Sequence, residues 1–130
     1  MEKWLTTLQR LLSVERQMKR IAEAKLADVQ RREATLQEEQ RSLLAALNGD
    51  GPFHGLFVDA AARKLTKLAE QADRVRTERQ AQANRVLDRS LRVNRAERLV
   101  NNVARACRDE LDKRQLAEVI EQAVSRASLP

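Results

Sequence analysis

Apolar residues recur at steps of four and three, with gaps of seven, through the first part of this 130-residue chain, at Trp4, Leu8, Leu11, Met18, Ala22, Val29, Leu36, Leu43 and Leu47. A second series runs through Phe57, Ala61, Leu65, Leu68, Ala72, Val75, Val86, Val93, Ala96, Val100, Val103 and Cys107. Such steps keep side chains on one face of a helix, and sustained over many turns they describe a heptad stripe. Gly49, Gly51, Pro52 and Gly55 separate the two series, and no other glycine or proline occurs before Pro130. Glycine and proline cost roughly 1 and 3 kcal/mol in a helix interior, so confining them to one site leaves both arms uninterrupted. The pattern predicts a single domain over 1–130: helix 1 over about 2–47, a hinge over about 48–56 and helix 2 over about 57–128.

A short turn makes the arms antiparallel, and facing residues then have numbers of constant sum. A sum near 104 brings Trp4 by Val100, Leu8 by Ala96, Leu11 by Val93, Met18 by Val86, Val29 by Val75, Leu36 by Leu68 and Leu43 by Ala61. The same register sets Glu15 opposite Arg89, Ala22 opposite Gln82 and Lys25 opposite Arg79. The middle of the seam is therefore polar, and its Lys25–Arg79 layer is expected to repel unless Glu23 or Glu78 shields it. The expected fold is all-α: a long antiparallel two-helix coiled-coil hairpin.

The arms are unequal. At about 1.5 Å per residue they reach roughly 70 and 105 Å, so about two dozen C-terminal residues outrun their partner. Yet the pattern continues through Leu111, Leu116, Val119, Ile120, Ala123, Val124 and Ala127, a face that an isolated helix exposes to water. A second copy, a different protein, or a fold-back at the charged run 108–112 would cover it. Leu116, Val119, Ile120, Ala123 and Val124 are accordingly candidate partner-binding residues.

Composition agrees with a thin seam. Charged residues make up 34% and aromatics 2%, too few large side chains to fill a globular core of this length. Net charge is +6, carried by nineteen Arg and six Lys, with sixteen of the basic residues in 59–130. That balance favours acidic protein surfaces, phosphate backbones or anionic lipid without choosing among them. The lone Cys107 excludes an internal disulfide. No apolar run approaches the roughly 20 residues of a membrane span, and the first residues lack the features of a secretory signal. A cytoplasmic setting is expected.

The residues offer little for catalysis. His54 is the sole histidine, no His/Cys spacing suits zinc, and no glycine-rich strand-to-helix loop suits a phosphate. Two solvated helix faces provide no cleft to shift carboxylate pKa values, so neither an enzyme nor a cofactor is expected. In the hinge, Phe53 and Phe57 gather two of the three large aromatics, to close the turn or to grip a partner. Arg85, Arg89 and Arg92 share one helical face in the strongest basic run, either a solvated face or a phosphate-binding stripe. Without interleaved aromatics to stack bases, the run points only weakly to nucleic acid.

The opening Trp4-Leu5-Thr6-Thr7-Leu8-Gln9-Arg10-Leu11-Leu12-Ser13-Val14-Glu15 resembles the start of the FliJ family of flagellar export proteins. The stretch 110–126, where a charged run leads into a short apolar helix ending in basic residues, is similar to that family's closing pattern. Length, hinge position and basic charge fit as well. The resemblance, which extends to YscO-type proteins of injectisomes, implies a cytoplasmic coiled-coil stalk without an active site, working peripherally at the membrane-associated export apparatus. Its implied partners are the hexameric export ATPase, the export gate protein and export chaperones. A structural or chaperone-like homodimer and a nucleic-acid-binding arm are the other classes that the residues leave open.

Overall fold

A computed structural model describes residues 2–49 and 54–128. It holds two helices, α1 (Glu2–Leu47) and α2 (His54–Ala127), and no strand among the described residues. The chain is therefore all-α, as its periodicity predicts. Helix α2 starts three residues before the expected boundary and takes Gly55 into its first turn, where a glycine interrupts few hydrogen bonds. At the other end of the hinge, the Asn48 and Gly49 amides donate to the Ala45 and Ala46 carbonyls at 3.2 Å, tightening the last turn of α1. Glu2 in the first turn of α1 and Arg126 in the last turn of α2 match the helix dipoles. The exposed Thr6, Thr7, Thr35, Thr66 and Thr77 hydroxyls donate to carbonyls four residues back, which seats these polar residues inside helices.

Packing divides the chain into two units. One combines Met1–Met18 with Ser90–Pro130, and the other is Lys19–Arg89. In the first, Leu12, Val93 and Ala96 form a small buried cluster against which Val100 packs, and Arg16 pairs with Glu97 at 3.2 Å. In the second, Ala22, Val29, Ala61, Leu68 and Val75 are buried together with one polar residue, Gln82. Among the described residues no large side chain is fully buried, as a seam only one helix wide dictates.

The least exposed positions form a stricter series than the apolar residues do. Along α1 they are Leu5, Leu8, Leu12, Glu15, Lys19, Ala22, Leu26, Val29, Glu33, Leu36, Gln40, Leu43 and Leu47, alternating steps of three and four without a gap. Trp4, Leu11 and Met18, expected in the seam, are instead exposed, and Leu5, Leu12 and Lys19 occupy those places. Two neighbouring series compete here, and the unbroken spacing prevails over side-chain size. On α2 the expected residues from Ala61 to Cys107 are buried or half-buried, whereas Phe57 is exposed.

Side-chain pairs between the helices scatter at and above the expected constant. The residue numbers of Arg16 with Glu97, Arg32 with Glu78, Glu33 with Arg79, and Leu12 with Val93 and Ala96 sum to 113, 110, 112, 105 and 108. Side chains lean toward the N-terminus of their own helix, so when two helices run in opposite senses the touching residues carry higher numbers than a simple backbone layer suggests. The Gln82 amide, which donates to the Ala22 backbone carbonyl at 3.0 Å, gives the expected sum of 104. Lys25 is exposed and Arg79 pairs with Glu33 at 2.6 Å, so the anticipated like-charge layer becomes an ion pair.

Candidate functional site

Beyond Glu110 the environment of α2 changes at once. Every residue from Leu111 to Ser128 is exposed, although the segment stays helical through Ala127. Cover on α2 reaches as far as Glu110, because Val103, Ala104, Cys107 and Glu110 are still half-buried. Leu116 is 61% exposed, and Val119, Ile120 and Val124 are comparably open. Ala123 is exposed beside them. The structure thus brings all five tail candidates to one open helix.

The tail presents its apolar face on a different side from the seam. Extending the seam series past Glu110 in steps of four and three reaches Arg114, Ala117, Glu121, Val124 and Ser128, mostly polar or small. Leu116, Ile120, Ala123 and Ala127 lie one residue earlier, which turns their stripe by about 100° around the helix. A simple extension of the α1 seam would leave most of that stripe in water. Asp109, Asp112 and Lys113 precede Leu116 on the same face, seven, four and three positions back. The helix is fastened at its end by Ser128, whose amide donates to the Val124 carbonyl at 3.0 Å and whose hydroxyl donates to the Ser125 carbonyl at 3.1 Å.

A second open stripe lies on α1 of the same unit. Trp4, Leu11, Val14 and Met18 follow steps of seven, three and four and are all exposed, Trp4 by 70%. Val14 had no place in the expected seam, and the other three were assigned to its interior. A second heptad series displaced by one residue from the first was the available signal. Lys3 and Arg10, both exposed, border this stripe on one side. Where α1 begins, Trp4, Cys107, Leu111 and Arg114 line a groove of about 650 Å³.

The basic run is partly occupied by internal bonding. Arg85 donates to the Gln82 side-chain oxygen at 3.1 Å, and Arg89 and Arg92 each take part in interactions within the protein. Each of the three arginines thus already takes part in an interaction within the protein. Nearby, Arg32 grips Glu78 with two donors, at 2.6 and 3.2 Å. The hydrogen bond to Glu78, followed by the attraction of the same carboxylate, raises the Arg32 guanidinium above its ordinary pKa. Arg32 and Asp28 also pair at 3.6 Å. Phe57 is exposed at the start of α2, while Phe53 lies outside the described residues.

Among the described residues no group of three His, Cys, Asp or Glu side chains is placed to hold a metal ion, and no helix is long and apolar enough to cross a membrane. Cys107 is half-buried and forms no disulfide. The arrangement offers open apolar stripes edged by charge, a chemistry of association. Comparison with protein-family models, curated proteins and solved structures finds no match.

Proposed function

We propose that this chain is a non-enzymatic stalk protein of a flagellar or related type III export apparatus, an antiparallel coiled coil that binds the export ATPase ring through its C-terminal tail. The observation that carries the reading is the uncovered helix from Leu111 to Ala127, whose apolar face is ready for a partner. The resemblance of residues 4–15 and 110–126 to the FliJ family supplies the kind of partner. On this reading the paired helices hold the tail in position, and Leu116, Val119, Ile120, Ala123 and Val124 make the ring contacts. Phe53 and Phe57 at the hinge and the arginines 85, 89 and 92 remain secondary contacts for the gate protein or export chaperones.

Sedimentation of the chain with the type III export ATPase from the same genome tests the proposal. Co-sedimentation with enhanced ATPase oligomerisation is expected, and deletion of 116–130 should abolish it while the remaining helices persist. Unchanged binding by the truncated chain overturns the assignment of the tail, and absence of any complex with the intact chain overturns the export reading. The internal engagement of Arg85, Arg89 and Arg92 speaks against the nucleic-acid alternative. That alternative requires an affinity falling steeply with salt and lost on replacing all three arginines.

A further inference from the structure

We propose that the tail of one copy docks on the open α1 stripe of a second copy, so that the chain forms a two-fold dimer through residues 111–127 and Trp4–Met18. The inference does not rest on the export reading, because it concerns the chain alone.

Both halves of the contact are present and uncovered in the same unit. From Leu116 to Ala127 the tail stripe is about 17 Å long, and from Trp4 to Met18 the α1 stripe is about 21 Å long, so one can lie along the other. Within one chain only the start of the tail, Leu111 and Arg114, borders Trp4, and from Leu116 onward α2 continues as unbroken, exposed helix. A second copy brings a matching tail and a matching stripe, and two-fold symmetry makes the same contact twice. Trp4 is suited to anchor it, because a large exposed aromatic is a common centre of binding energy.

Charge supports the same occupant. The tail face opens with Asp109 and Asp112 beside a single Lys113, a net acidic entry, whereas Lys3 and Arg10 edge the α1 stripe at the N-terminal end of its helix. A tail running parallel to α1 with Leu116 near Trp4 brings those carboxylates toward Lys3 and the positive end of the α1 dipole. The reverse pairing, tail on tail, would set Asp112 and Asp109 against apolar residues or against each other. Tail on stripe joins opposite charges and covers both apolar faces together. An ATPase ring binding the tail would compete with the second copy for the same residues.

Sedimentation equilibrium of the full chain provides the first reading, with a reversible dimer expected. Leu116→Glu with Ile120→Glu, and separately Leu11→Glu with Val14→Glu, should each weaken the dimer roughly tenfold or more, since each desolvated apolar side chain is replaced by a charge. All four positions are exposed, so helicity by circular dichroism should be retained. Geometry is read by mixing two single-cysteine chains, Leu11→Cys and Ala123→Cys, which this register sets side by side, each also carrying Cys107→Ser. Mild oxidation should link the two different chains in preference to like with like. A monomer at high concentration, a dimer indifferent to both glutamate pairs, or crosslinks confined to like chains would each overturn the proposal. Keeping the dimer while losing the ATPase complex, or the reverse, separates this inference from the export reading.

Discussion

Two glycines at the hinge differ in what a side chain would meet. A Cβ on Gly55 meets nothing within 4 Å, whereas one on Gly49 approaches the Ala46 carbonyl oxygen at 3.3 Å. Gly55→Ala should therefore stabilise the protein by about 0.5 kcal/mol, by restricting the unfolded chain without crowding the helix. Gly49→Ala should gain less or nothing, because the tight approach offsets the same entropy. Urea denaturation of both variants checks the contrast, and equal gains would contradict it. A second residue-scale expectation concerns Glu33, whose side chain is only 17% exposed and pairs with Arg79 at 2.6 Å. Replacing it by Ala leaves the Arg79 guanidinium half-buried in the seam, at an expected loss of about 1 kcal/mol. The Glu38–Arg41 pair spans 3.9 Å between well-exposed side chains, and Glu38→Ala serves as the comparison expected to change stability by less than about 0.5 kcal/mol. Equal effects of the two substitutions would show that seam position adds nothing to the Glu33 pair.

At the scale of the paired helices, Gln82 is the residue that sets alignment. It is buried to 5% exposure, donates to the Ala22 carbonyl and accepts from Arg85, so sliding one helix past the other would strand its amide. Polar residues in an otherwise apolar seam lower stability and fix register. Gln82→Leu is thus expected to leave the melting temperature unchanged or higher while loosening the alignment. Spin labels at the exposed Ser42 and Arg63 would report a broader distance distribution in the variant; a distribution as narrow as that of the parent would remove Gln82 from this role. The same residue shows how far the chain could be read in advance. Both helices and the polar middle follow from glycine and proline placement and heptad spacing. The α1 seam was displaced by one residue in part because Trp4, Leu11 and Met18 outweigh Leu5, Leu12 and Lys19 in size and apolar character, although the latter belong to the gapless series. The Glu33–Arg79 and Arg32–Glu78 pairs escaped notice because a constant-sum register ignores the lean of long side chains. The open tail is legible from helix length, but the α1 stripe is not, since Trp4, Leu11 and Met18 fit a seam by spacing and size as well as they fit an open stripe.

For the molecule as a whole, stability is expected to fall steeply along α2 where cover ends. Residues 93–100 have neighbours across the seam, whereas residues 111–127 depend on their own hydrogen bonds and on attachment to the helix before them. An isolated helix shorter than about 12–15 residues is marginal in water, and the tail is little longer, so it should open locally without unfolding the rest. Amide exchange in dilute solution should then be slow through 93–100 and fast from Leu111 onward. Raising the concentration distinguishes the two occupants of the tail. Docking on a second copy should slow exchange in 111–127 in step with dimer formation, with matching protection at the Trp4–Met18 stripe. If tail exchange stays fast at every concentration and slows only when the export ATPase is added, the ring is the occupant and the dimer is ruled out. Should the tail be as protected as the seam at the lowest concentration, its helix is stable without cover and neither partner is needed to order it. Its apolar face would then act as a preformed docking surface, and binding would carry little cost of folding.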